Sequence, residues 1–221
     1  MIYDDVASWE DAAQVSEPLL KLYARRPAEW LEPPRQWVLP AALPWTRVLA
    51  QAMNVRVLLT GIRVWTESFT VDVEVFARQA PPRTPDWLAP FGKEAPRQAG
   101  AGGLRVEAWF ADGRRAVRRG SRPWLNRRPE DEKPPDGPVL LAGRGEGGPF
   151  HYRQSAHIWP LPPSGPVVLA IAWRDQGITS ARADLSGLEI RAAAERAVEI
   201  WPGLPEAPNG LPGTAQKGRD D

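Results

Sequence analysis

Cysteine is absent from the chain. That excludes disulfides, thiolate-bound metals and every mechanism built on a thiol nucleophile. Histidine is scarce, with two in 221 residues. Long apolar runs are missing as well. Nothing approaches the ~18 consecutive apolar residues of a membrane span, and the most apolar stretch, Val167 to Trp173, is only as long as a strand. The opening residues, MIYDDVASWEDAAQ, are acidic and carry neither the basic nor the apolar part of a secretory signal. A cytoplasmic protein without a membrane partner is the expectation. Lysine is rare, at four against twenty-four arginines, and the net charge is only +1, so overall charge implies no polyanionic partner. Arginine together with abundant Ala, Gly and Pro has the look of a GC-rich bacterial genome.

Proline is plentiful, at 25 residues, and it divides the chain. Residues 1–44 read as an N-terminal arm. A short helix is expected from Ser16-Glu17-Pro18 to about Arg26, with proline in the first turn where a missing N–H costs little. Pro27, Pro33, Pro34 and Pro40 then oppose regular structure. Residues 45–202 read as the folded domain, and a core of that size needs no metal or disulfide to hold it. Residues 203–221 have too few apolar groups to offset the entropy of ordering and are expected to be disordered.

Within the domain the signal is β. From Asn54 to Arg78, apolar and polar residues alternate with period two on both sides of a Glu67-Ser68 turn. This is the pattern of an antiparallel hairpin with one face in the core and one mostly wet. Gly61 interrupts the alternation and marks a bulge or a change of face. Leu104 to Phe110 alternates again, and Ala111-Asp112-Gly113 is a turn signal before a short return strand, Arg114 to Arg118. Val139–Leu141 and Phe150–Trp159 flank the glycine-rich GRGEGG. Val167–Arg174 reads as a central strand covered on both faces. Residues 79–103 and 119–137 read as loops. Ser186 and Glu189 form an S-x-x-E capping box, and a helix is expected from there to Trp201, stopped by Pro202-Gly203. The fold class expected is mainly β: an immunoglobulin-like sandwich of seven or eight strands in two antiparallel sheets, with one C-terminal helix. The Cys…Trp…Cys pattern of true immunoglobulin domains is absent.

Trp159-Pro160-Leu161-Pro162-Pro163, then Gly165-Pro166, the apolar strand, Trp173, Gly177-Ile178 and the helix before Trp201-Pro202 resemble a widespread group of bacterial proteins of uncharacterised activity. The resemblance covers about residues 45–202. It supports the fold reading and implies no activity.

No catalytic constellation is marked, and no cofactor or metal is expected. His151 and His157, six apart on one strand, share a face but stand roughly 20 Å apart at ~3.3 Å per residue, too far to share a metal. A Ser/His/Asp hydrolase built from His157, Asp72 and a serine lacks the G-x-S-x-G elbow. Asp72 and Glu74 fit the wet face of a hairpin better than a paired-carboxylate site. Gly143–Gly148 lacks the G-K-[ST] ending of a phosphate loop. The eleven tryptophans suggest sugar stacking, but those in strands, Trp65, Trp109, Trp159 and Trp173, read as packed against the domain. The strongest local anomaly is basic. Arg114, Arg115, Arg118, Arg119, Arg122, Arg127 and Arg128 surround Trp124, a combination of guanidinium forks and a stacking ring that suits phosphates and bases. Acids follow at once, and over residues 112–136 seven arginines and Lys133 against five acids leave +3. The first functional expectation is a non-enzymatic protein that binds another protein. The second is an anion or nucleic-acid binder using this loop, and the third a hydrolase with an unmarked site.

Overall fold

A computed structural model describes residues 28–79, 104–118, 134–143 and 145–202. Pro27–Ile200 form one compact unit. The expected helix at 16–26, the tail from 203 and most of the two long loops lie outside the described residues.

The described chain is mainly β. In order come β1 (Val38–Leu39), β2 (Ala41–Leu43), β3 (Arg47–Gln51), β4 (Val55–Val64), β5 (Phe69–Ala77), β6 (Arg105–Phe110) and β7 (Arg115–Arg118). Then follow β8 (Val139–Ala142), β9 (Glu146–Gly147), β10 (His151–Trp159), β11 (Pro166–Trp173), β12 (Ile178–Ser186), a helix α1 (Gly187–Ala194) and β13 (Val198–Glu199). Eleven strands form one continuous strip in the order β12-β11-β6-β7-β8-β10-β5-β4-β2, with β3 also on β4 and β9 on β10. Among the described residues every pairing is antiparallel except β7 with β8, which joins the two antiparallel blocks. The strip rolls up. Its last strands, β3 and β12, lie side by side, where Arg47 Nη1 donates to the Asp184 carbonyl at 2.9 Å.

The β4–β5 hairpin follows its alternation. Val55, Val57 and Leu59 are buried, the register shifts between Leu59 and Gly61, and burial resumes on even numbers at Ile62 and Val64. The glycine therefore does move the strand's buried set from one parity to the other. The β6–β7 turn at 111–113 also forms, with Gly113 at φ +83°. Inward residues of both blocks, among them Val73, Leu140, Ile158, Leu169 and Ile171, share one core.

Three expectations are corrected. First, β11 is the second strand of the strip, not its centre, and only its Val167, Leu169, Ile171 and Trp173 side is buried, while Val168 is half-exposed. Second, the prolines of residues 27–44 do not abolish structure. They flank β1 and β2, because a proline between short edge segments removes no ladder hydrogen bond, and Val38 and Leu43 are buried. Third, the helix begins as the capping box requires, with the Glu189 N–H donating to Ser186 Oγ at 3.2 Å, but it ends at Ala194. Its anticipated last turns are spent on β13, which pairs with β1. The helix packs on β2, β4 and β11, with Ile190 and Ala193 in the core.

Candidate functional site

The side of β4, β5 and β10 away from the core carries the densest polar array among the described residues. Register sets it out in rows: Thr70 beside His157 and Arg63, Asp72 beside Ser155, Glu74 beside Arg153, and Phe76 beside His151. This face is wet at one end and covered at the other. His151 and Phe76 are exposed and stacked, with ring centroids 4.5 Å apart, and His151 Nε2 lies 2.8 Å from Glu74 Oε2. One row in, Arg63 holds Asp72 as a fork, with Nε to Oδ2 at 3.1 Å and Nη2 to Oδ1 at 2.7 Å. Ser155 Oγ donates to Asp72 Oδ1 at 2.6 Å, and Arg153 approaches the carboxylate at 4.0 Å. Asp72 is buried. The sequence expectation of a wet-face carboxylate is therefore corrected: neighbouring guanidinium groups cover it and supply the donors a buried charge requires.

At the last row the sheet meets residues 28–40, a strap that reaches it through Glu29. The Glu29 carboxylate sits in the β4–β5 turn, where it accepts from the Thr66 and Ser68 hydroxyls and from the Glu67 N–H at 3.0 Å. Its backbone carbonyl lies 2.7 Å from His157 Nε2. His157 Nδ1 lies 3.1 Å from Thr70 Oγ1, which also accepts from Trp65 Nε1 at 3.2 Å. These partners fix the proton positions. A carbonyl can only accept, so Nε2 carries the hydrogen. In the neutral ring Nδ1 is then an acceptor, so the Thr70 hydroxyl, which accepts from Trp65, donates its own hydrogen to Nδ1. The ring is neutral with both nitrogens used. Burial is the main cause that pushes its pKa down, to about 4, with Arg35 and Arg63 adding to the effect and the Glu29 carbonyl and charge opposing it.

This geometry separates the residues of the conceivable Ser/His/Asp set. Ser155 bonds Asp72 and Arg63, while His157 bonds Thr70 and Glu29, so neither His157 nitrogen faces the serine. The two histidines do share the outer face of β10, as their spacing required. No cluster of metal-ligating side chains occurs among the described residues.

Of the basic cluster, only Arg114 and Arg115 have described side chains. Arg114 pairs with Asp112, Nε to Oδ2 at 2.7 Å, and lies over the Phe110 ring. Desolvation opposes charge on Asp112, but hydrogen bonds from the Arg114 backbone and guanidinium, together with the Arg114 charge, outweigh it and hold the carboxyl below its usual range. Arg115 pairs with Glu107 and lies over Trp109. Both of these arginines are thus engaged within the chain. Arg118 contributes backbone to β7. Arg119, Arg122, Trp124, Arg127 and Arg128 lie outside the described residues.

A second feature is apolar. β1 and β13 form a two-stranded ribbon in which Leu39 pairs with Val198, and the Ile200 N–H donates to the Trp37 carbonyl at 2.8 Å. One face of the ribbon carries Trp37, Leu39, Val198 and Ile200, exposed by 60% at Leu39 and 56% at Val198. Sequence reasoning missed Glu29 and this ribbon alike. Neither leaves a periodic signal, because each depends on segments about 130 to 160 positions apart meeting in space.

No protein-family model matches the chain, and no curated protein matches it. Among solved structures it is similar to the crystal structure of a conserved domain protein from Bacillus anthracis, at 7% identity and a TM-score of 0.38, over 74% of this chain. The chain spans about half the length of that protein. No helix among the described residues is long and apolar enough to cross a membrane.

Proposed function

We propose that the protein is a non-enzymatic binding protein of the cytoplasm that acts through contact with another protein, and that the β1–β13 ribbon is the contacting surface. The observation behind this reading is the row Trp37, Leu39, Val198 and Ile200, four apolar side chains on one face of a ribbon with Leu39 and Val198 mostly in water. Contiguous exposed apolar surface is uncommon on a free protein and is characteristic of interaction sites. The partner that fits is a protein surface with an apolar centre. The expected seven or eight strands in two antiparallel sheets give way to eleven strands in one sheet joined by the parallel β7–β8 pair, so we keep an immunoglobulin-like sandwich only as a broad reading of two antiparallel blocks that share one core.

The test compares the natural chain with Leu39→Arg/Val198→Arg as baits in extract from the source organism, followed by titration of the purified candidate partner. Saturable binding weakened at least about 100-fold in the double variant is expected, since two central apolar anchors commonly carry such a share of the energy. Equal affinity for both proteins would reject the ribbon as the contact surface.

A further inference from the structure

We infer that residues 28–40 form an acid-released strap, latched to the sheet through Glu29 and opened by protonation of His157. The inference does not depend on the identity of any partner. It rests on how the ring is enclosed. His157 is buried and spends both nitrogens, Nε2 on the Glu29 carbonyl of the strap and Nδ1 on the Thr70 hydroxyl. Adding a proton at Nδ1 turns it from acceptor to donor. Thr70 Oγ1 then faces two N–H groups, from His157 and Trp65, while its own hydrogen loses its acceptor inside a residue that is 1% exposed. A buried hydroxyl without a partner and a buried cation are both costly.

Lifting the strap relieves both, because the strap's Glu29 carbonyl is one of the two groups that enclose the ring. The charged groups acting on the ring are Glu29 and Arg35 from the strap and Arg63 from β4. From β5 and β8 the facing residues are Thr70 and Leu141, neither of which titrates in this range. Glu29 alone would hold a cation in place, but two arginines oppose it, and the net effect together with burial favours the neutral ring. The same strap bears Trp37 and Leu39, so its release dismantles the ribbon.

The sign is fixed by linkage. With the strap closed the ring takes a proton only near pH 4, and with the strap lifted it does so near its ordinary value of about 6.5. Above that value both forms are neutral and pH has no effect. Between the two values the open form gains about tenfold per pH unit on acidification.

Two amides report the latch directly: Glu67 N–H, held by Glu29 Oε2, and Ile200 N–H, held by the Trp37 carbonyl. Hydrogen exchange, corrected for intrinsic rates, should show their opening rise about tenfold per pH unit between pH 6.5 and 5, while amides of β11 lag behind. His157→Gln should flatten that slope, and His151→Gln, at the exposed histidine, should leave it unchanged. A slope that survives in His157→Gln, or strap and β11 amides rising together, would overturn the latch. Where His157→Gln does not fold, an NMR titration of the natural chain decides: His157 must titrate in step with strap opening, and titration with the strap amides unmoved rejects the inference.

Discussion

At the scale of single residues, neighbours in sequence can differ sharply in consequence. Ile171 and Val168 lie three apart on β11 and so face opposite ways. Ile171 is 2% exposed, whereas Val168 is half-exposed, with Trp109 and Asp184 beside it in the register. Ile171→Asp places an unpaired carboxylate in the shared core and should prevent folding, since that cost rivals the roughly 5–15 kcal/mol that holds a domain together. Val168→Asp loses a partly buried valine and sets a carboxylate opposite Asp184, and should cost about 1–3 kcal/mol while the protein still folds. Urea melts of both variants check this, and equal severity would mean that β11 is covered on both sides after all. Gly187 is a second sharp case. A methyl group there would lie 2.2 Å from the Pro163 carbonyl oxygen and 2.3 Å from that of Gly165. Helix propensity alone favours alanine at a helical position. Gly187→Ala should nevertheless lower stability by more than ~2 kcal/mol, read as a fall in melting temperature, because backbone has to shift. A rise in melting temperature would show that the proline corner yields without strain.

At the scale of elements, what was legible in the sequence is what is local. The β4–β5 hairpin, its bulge at Gly61, the β6–β7 turn and the capped start of α1 each rest on residues within a few positions of one another. The end of α1 was illegible because propensity favours helix on to Trp201, yet the pairing of Val198 with Leu39 takes part of that run for a strand. Asp72 was misplaced for the same reason. Alternation assigns it correctly to the face opposite Val71 and Val73, but says nothing of Arg63 and Ser155 closing over it. The arginine-rich segment is the element whose function the sequence weighted most. Its two described side chains, Arg114 and Arg115, are already paired with Asp112 and Glu107. No measurable association with mixed-sequence RNA or DNA at ~150 mM salt is therefore expected. Four engaged arginines would give a slope of log K against log salt near roughly −3. If such a slope appears and is lost in Arg118→Ala/Arg119→Ala/Arg127→Ala/Arg128→Ala, nucleic-acid binding displaces protein contact as the leading reading.

At the scale of the molecule, the order of the strip decides what can be removed. A boundary at residue 45 is natural from composition, because prolines crowd the residues before it. In space, the segment ahead of that boundary completes the edge of the sheet. Ala41–Leu43 pair with Ile62–Val64, and β3 continues along the same strand from Leu59 to Arg56, so β2 and β3 act as one long edge strand bent opposite the Gly61 bulge. Cutting at 45 exposes Ile62 and Val64 on one edge, removes the buried side chains of Val38 and Leu43, and leaves the donors of the Thr66–Ser68 turn without Glu29. Full burial of a valine or leucine contributes about 1.5–3 kcal/mol, so the two side chains together account for roughly 3–6 kcal/mol. The measurement is a pair of denaturant melts on fragments 27–202 and 45–202 at pH 7.5, where the His157 ring is neutral whether or not the strap is present. Fragment 27–202 should unfold in one cooperative transition, as single domains do. Fragment 45–202 should unfold at a markedly lower midpoint, with a difference of about 3–6 kcal/mol if it folds at all. Coincident midpoints would show that the strap and β2 lie on the sheet without stabilising it, and that the core is complete from residue 45.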